Sequence, residues 1–361
     1  MTEWNREYLF QMDIKNYNAE DAVFSRPSMR AVIEADPDHL YLVYSTKKKF
    51  YKFPGGGAEQ GESAVQTLVR EVKEETGLTV DPAAVKEFGS VLRIQKSTKE
   101  ADTVFRQENT YFTCRLIDNI KEEQQLDAYE AEDGFTLRIV SYQDAIAENR
   151  QCTGLNDIEL CMIERDTRVL EILDHQEQVP GREMAKFLIR EAEKKNPGKW
   201  VQHSYHTAEC AQQLAEGCID MDPEKAYVLG LLHDIGRREG ITGIAHVYDG
   251  YHYLKDLGYD SAARIALTHS FALKRLDEYV GIGDLNASQI HEMQDLLNSI
   301  TFDDYDRLIQ LCDAMATAEK ITTVEERMKD VKQRYGFYPQ EKWNKNLELR
   351  DYFEEKMKRK P

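Results

Sequence analysis

Three glutamates, Glu71, Glu74 and Glu75, stand at i, i+3 and i+4. On a helix that spacing places their carboxylates on one face, where like charges repel unless a cation is held between them. Hard oxygen donors of this kind suit Mg²⁺ or Mn²⁺. The local sequence supplies the helix: Ser63 and Gln66 form a capping-box pattern, Val65, Leu68 and Val72 an apolar stripe, and Gly77 sits where a left-handed C-terminal cap is favoured. A helix over about 64–76 is predicted. A solvated acidic face beside Arg70 and Lys73 uses the same three glutamates, and what separates the two readings is the glycine loop ahead of the helix together with Arg70.

A second set of donors lies in the other half. Seven of nine histidines follow residue 200. His233-Asp234 ends an apolar helix (GLLHDIG), His203 lies upstream in HSYHTAECAQQLA, and Asp313 downstream in LIQLCDAMA. A lone His-Asp pair is more often a helix-end cap. Four such donors on amphipathic helices, however, converge when the helices pack side by side. Mixed imidazole and carboxylate donors favour Fe, Mn, Co or another transition metal over Mg²⁺. Arg237 and Arg238 follow the pair and suit phosphate oxygens, with one of the two expected to be solvated. His206 is read as a substitute ligand or a rim residue, His252 and His291 as surface or packing.

Gly56, Glu62, Arg70, Glu71, Glu74, Glu75, Gly77 and Leu78 fit the fixed positions of the Nudix box, G-x5-E-x7-R-E-U-x-E-E-x-G-U, and Lys52-Phe53-Pro54-Gly55 precedes it. The stretch resembles a Nudix hydrolase. The resemblance implies that Glu71, Glu74 and Glu75 are metal ligands, that Glu62 and Arg70 form a supporting ion pair, that Gly56 and Gly57 lie against substrate, and that the bond cleaved is a pyrophosphate. The general base stays open between Glu71, Glu130 and Glu132, the last two in a loop ahead of the strand FTLRIV. Arg93, Lys96 and Arg106 are read either as phosphate contacts or as solvated bases.

Residues 184–335 resemble the HD phosphohydrolase superfamily, with its order H, HD and D. That resemblance implies metal ligation by His203, His233, Asp234 and Asp313, adds His246 and His269 as ligands of a second ion, makes Asp234 the bridge if both ions bind, and gives Arg237 to the substrate. Enzymes cleaving dinucleoside polyphosphates symmetrically, and nucleotide-dephosphorylating ones, share this pattern.

The net charge of −18, from 47 basic and 65 acidic residues, argues against a nucleic-acid partner, which needs clustered positive charge. A small anionic nucleotide reached through metal fits better. Six cysteines without a CxxC pair read as reduced, mostly buried thiols. No apolar run approaches a membrane span, and MTEWNREYLF lacks the marks of a signal peptide; the expected location is cytoplasmic. The sequence names no oligomeric state.

Short strands (RAVIEA, LYLVYS, GSVLRIQ, NTYFTCRLI, FTLRIV) surround the first helix, and a helix over 157–172 closes that part. The polar HQEQVPG marks a boundary. Beyond it strand signals give way to helices, one opened by Asp222-Pro223. The fold expected is an α/β Nudix fold, a mixed sheet sandwiched by helices, followed by an all-α HD-type domain. The expected divisions are 1–175 (Nudix), 176–183 (linker), 184–340 (HD) and 341–361 (C-terminal helix or tail, frayed at EEKMKRKP). The expected function is a bifunctional phosphohydrolase, the second site free to act on the first site's product. The alternative is a nucleotide sensor in which one domain binds ligand and regulates the other.

Overall fold

The computed structural model describes residues 8–118, 121–281 and 283–358, which fall into two compact units, Met1–Gln178 and Val179–Pro361. In the first, the elements in chain order are β1 (Phe10–Asp13), β2 (Ala22–Ser25), β3 (Ser28–Asp36), β4 (His39–Ser45), β5 (Phe50–Lys52), α1 (Ala64–Thr76), β6 (Lys86–Lys96), β7 (Thr103–Cys114), α2 (Ala128–Asp133), β8 (Phe135–Ser141), α3 (Tyr142–Gln151) and α4 (Asp157–Leu173). The mixed sheet runs β1-β6-β7-β3-β4-β5, with β2 alongside β7 and β8 along β4. All five expected strands are present; β1, β2 and β5 are only three or four residues long, too short to show a period.

Alternation decides which side chains meet α1. Ala31 and Ile33 of β3 pack with Leu68 and Val72 of the helix, beside Leu78, Val80 and Phe112. Each such aliphatic side chain contributes about 1.5–3 kcal/mol by leaving water. That burial fixes the roll of α1 and leaves its glutamates facing the glycine loop. The predicted caps hold the ends: Ser63 and Gln66 make the reciprocal box, and Gly77 takes φ 75°.

The second unit is helical: α5 (Arg182–Lys195), α6 (Trp200–Glu216), α7 (Pro223–Leu232), α8 (Ala245–Asp256), α9 (Asp260–Thr268), α10 (Ala287–Ser299), α11 (Asp304–Asp313), α12 (Val324–Tyr335) and α13 (Gln340–Lys358). Every residue of α7 from Ala226 to Leu232 is buried, so it is the central helix, with α5, α6, α9 and α11 around it. Gly230 lets α6 approach, because a Cβ there would press on the Ala208 backbone.

Two expectations change. Helix α5 starts at Arg182, inside the stretch read as linker. The end of the chain, as far as Lys358, is a docked helix rather than a frayed tail: Leu349 and Phe353 are buried, and Lys356 bonds Asp220 at 2.7 Å and Asp304 at 2.9 Å. All six cysteines are buried thiols outside any disulfide. Among the described residues, no helix is long and apolar enough to cross a membrane.

Candidate metal centres

In the first unit Arg70 organises the box. Its Nε and Nη2 take both oxygens of Glu62 at 2.7 and 2.9 Å, the bidentate pairing that ties the loop to the helix. Nη1 reaches further than that supporting pair requires, to Glu71 at 2.8 Å and Glu74 at 3.0 Å. The guanidinium thus stands between two carboxylates where a metal cation would. The hydrogen bond from Arg70 holds Glu62 down at about 2, whereas burial pushes Glu71 up despite Arg70.

Glu75 turns inward. It is 2% exposed, accepts from Lys52 Nζ at 2.7 Å, and accepts the Gly55 N–H at 2.9 Å. The three glutamates do not close around one point; Glu71 and Glu74 meet through Arg70 while Glu75 is held by Lys52. Three carboxylates against two cations on one helix face still form a donor set that fits a hard divalent ion. Gly56 is required by this geometry, since a Cβ there would overlap the Glu71 carboxylate. Because the obstacle is the flexible end of a side chain, Gly56→Ala is expected to fold with a near-native melting temperature and lose about tenfold to a hundredfold in pyrophosphate hydrolysis, the usual cost of misorienting a ligand; steady-state assay beside a thermal melt checks both.

Glu130 and Glu132 lie on α2 rather than in a loop. Glu130 reaches Lys52 at 3.4 Å, and burial followed by Glu75 pushes its carboxyl up to about 7. Glu132 points away, exposed and paired with Lys47. Of the basic residues after the box, Lys96 is exposed, Arg106 reaches Tyr8, and Arg93 is buried.

In the second unit six donors converge. His203 and His233 approach Nε2 to Nε2 at 3.3 Å, and Asp313 lies 2.9 Å from His203 and 3.8 Å from His233. Asp234 Oδ1 is 3.0 Å from His246 Nε2 and 3.5 Å from His269 Nε2. Two groups result, His203–His233–Asp234 and Asp234–His246–His269, each with donor atoms within 4.8 Å of one another and with Asp234 common to both.

Backbone carbonyls set the tautomers. Nδ1 of His233, His246 and His269 lies against the carbonyl three residues back, Gly230, Gly243 and Ala266. A carbonyl only accepts, so each Nδ1 carries the proton and each Nε2 turns its lone pair inward. Burial pushes His233 down to about 3, keeping it neutral. Burial pushes Asp234 up, but Arg237, His246 and His233 outweigh it and hold the carboxylate well below its usual range. Neutral imidazoles around an ionised carboxylate are the donors a transition metal takes.

Arg237 Nε bonds Asp234 Oδ2 at 2.6 Å, so in this structure it meets the carboxylate common to both groups. Of the two arginines, Arg238 is 1% exposed under the Tyr253 ring, while Arg237 is 28% exposed in the cleft. His206 bonds the Thr317 carbonyl and joins neither cluster, while His252 and His291 pair with Glu292 and Asp295 on the surface. The donors open into a cleft of about 670 Å³ whose far wall, from α12, α13 and the loop between them, includes Arg327, Arg334, Tyr338 and Lys342. Sequence reading missed that wall because cationic residues on amphipathic helices read as solvated.

Gly236 packs under the site. A Cβ there would overlap the His246 carbonyl and the Gly250 backbone, neither of which can swing aside. Gly236→Ala is therefore expected to cost about 1–3 kcal/mol and to lower bound transition metal, both measurable in one preparation by denaturant titration and elemental analysis.

Residues 25–155 match the family model described as NUDIX domain, and residues 200–318 match that described as HD domain. The chain carries a NUDIX domain followed by an HD domain, both of metal-dependent kinds. The mouse protein "Nucleoside diphosphate-linked moiety X motif 6" is 35% identical over 95 residues, 26% of this chain and 26% of that protein. Its Xenopus laevis namesake is 36% identical over 88 residues, 24% of this chain and 37% of that protein. The match thus spans only about a quarter to a third of these relatives. Among solved structures, a MutT from work on Aliivibrio salmonicida and Vibrio cholerae is 17% identical, with 40% of this chain and 99% of that one covered at a TM-score of 0.26. A NUDIX hydrolase from Nitrosomonas europaea is 22% identical, with 40% and 90% covered at a TM-score of 0.28.

Proposed function

We propose that the fusion is bifunctional: the NUDIX site hydrolyses the pyrophosphate of a nucleoside diphosphate derivative, and the HD site hydrolyses a nucleotide phosphoester or phosphoanhydride. The observation that carries the second half is Asp234 shared by two donor groups, with the Nε2 lone pairs of His233, His246 and His269 turned inward. The glutamates of α1 support the first half, as does the printed name of the mouse and frog relatives, which speaks of a nucleoside diphosphate-linked moiety.

In this reading Glu71, Glu74 and Glu75 hold Mg²⁺ or Mn²⁺, which when bound supplies charge neutralisation to the pyrophosphate oxygens. Arg70 keeps Glu62, Glu71 and Glu74 in register. Glu130, through Lys52 at 3.4 Å, is placed to accept a proton beside the box, and Glu132 is not. At the HD site, His203, His233, Asp234 and Asp313, with His246 and His269, hold one or two ions of Fe, Mn or Co, which when bound supply Lewis acidity. Arg237, released from Asp234, binds substrate phosphate. The cationic far wall of the cleft fits a phosphate-rich small molecule.

The reading is tested with nucleotide sugars, dinucleoside polyphosphates and nucleoside monophosphates offered to the full chain, Glu75→Gln and Asp234→Ala. Two substrate sets, each abolished by one variant alone, are expected. Turnover of a single set, lost in only one variant, would leave the other domain as a binding module.

A further inference from the structure

The face of the sheet that looks away from α1 carries charge where apolar residues would be expected. Gln107, Asn109 and Tyr111 recur at every second position of β7, Arg30 lies opposite Tyr111 on β3, and Arg93 opposite Gln107 on β6. These side chains therefore share one face, and all five are buried. Helix α4 closes over them. Arg165 donates to Asn109 Oδ1 at 2.6 Å and to Asp166 Oδ1 at 2.9 Å, and Tyr111 donates to the same Asp166 oxygen at 2.6 Å. Arg30 donates to the carbonyls of Phe53 and Gly55.

Arg93 is left over. It is 4% exposed, its Nε and Nη1 have no hydrogen-bond partner among the described residues, its guanidinium lies 5.0 Å from the Phe105 ring, and Cys161 and Asp166 are near enough to act on it electrostatically. Two residues along β6 the buried Gln95 leaves Oε1 unpaired as well. The row holds three guanidinium groups: Asp166 pairs with Arg165, Arg30 lies within electrostatic reach of Glu71 and Glu75, and Arg93 has no carboxylate bonded to it among the described residues. A buried cation without a partner is among the costliest groups a core can keep, and an apolar side chain of the same length would be cheaper. Burial and the nearby Arg165 and Arg30 accordingly push Arg93 down to about 10. The charge makes sense if its partner arrives from outside. One end of the row abuts the box, since Arg30 binds the Gly55 carbonyl and the Gly55 N–H binds Glu75. At the other end Phe105 stacks on the half-exposed Phe24.

We propose that Arg93, with Arg165 and Arg30 beside it, seats an oxyanion of the NUDIX substrate, a phosphate or carboxylate carried on the moiety beyond the pyrophosphate. This rests on the reading of the first unit as a pyrophosphate hydrolase. It deepens that reading by giving the substrate a second anionic group, in a region of sequence where the box is silent.

The test is direct observation of the Arg93 Nε–H resonance in the ¹⁵N-labelled full chain under chelator, identified by its absence from Arg93→Met. Saturable movement with inorganic phosphate or with acetate is expected, and which anion moves it tells a phosphate-bearing from a carboxylate-bearing substrate. No movement with either overturns the proposal. A turnover arm compares a nucleoside diphosphate linked to a neutral sugar, the matching uronate, and a nucleoside triphosphate. Arg93→Met is expected to lower kcat/KM for the preferred anionic member by about tenfold to a hundredfold, the size of a lost hydrogen bond to a charged group, and to leave the neutral sugar unchanged. Equal loss on all three overturns the proposal. If no member is hydrolysed while the resonance still responds, the pyrophosphatase reading fails and the anion seat stands. Removal of an unpaired buried charge should keep or raise the melting temperature; a fall assigns Arg93 a structural role and overturns the seat. Should Arg93→Met not fold, Arg93→Gln removes the same resonance and the charge and serves both arms.

Discussion

Asp234→Ala is expected to strip transition metal from the second unit and to lower its phosphohydrolase rate by more than about a hundredfold. Residues one step removed from a metal already cost 10–100-fold when changed. Asp234 touches both histidine groups, so a single truncation dismantles both. The fold should survive, because Arg237, which bonds Asp234, lines the cleft and can turn toward solvent once released. Asp234→Asn, which keeps one oxygen and the volume, should retain part of the metal. Elemental analysis and phosphate release from the same preparations check the effect, with pyrophosphate hydrolysis at the NUDIX site as the internal control. Full metal content in Asp234→Ala would sink the shared-ligand geometry as the basis of the site.

Local signals carried most of what the sequence made legible. The helix over 64–76 follows from Ser63, Gln66 and Gly77, all within two turns of its ends, and the structure has it with those caps. His233 and Asp234 were visible as a pair because they adjoin. What stayed hidden depends on contacts distant in the chain. Nothing near Glu130 reveals that Lys52 and Glu75 lie beside it, although Asp127, Glu130 and Gly134 carry the same capping signals for α2 that mark the first helix. Likewise Arg93 reads as one more basic residue in a strand until the register with β7 and the closure of α4 bury it. Which of Arg237 and Arg238 is enclosed was not legible for the same reason, the ring over Arg238 at Tyr253 being a helix away. Periodicity tells which face is apolar, but a buried guanidinium sits on that face without announcing itself.

On the proposed reading the box separates into a part that binds metal and a part that balances charge, and Glu75 belongs to both. Its carboxylate is buried against Lys52, itself 7% exposed and lying over the Phe135 ring. Glu75→Gln is expected to abolish pyrophosphate hydrolysis and also to destabilise the chain by about 2 kcal/mol; removing one member of a buried pair strands the other, and Glu130 at 3.4 Å compensates only in part. Adding Lys52→Met removes the stranded ammonium. The double variant should therefore recover stability to within about 1 kcal/mol of the parent, since an apolar replacement of a buried pair is often neutral. Activity should stay lost. A double-mutant cycle in denaturant, run beside the assay, measures the coupling. If Lys52→Met in the Glu75→Gln background restored hydrolysis, the role of Glu75 would reduce to neutralising Lys52, and the metal would be left to Glu71 and Glu74 alone.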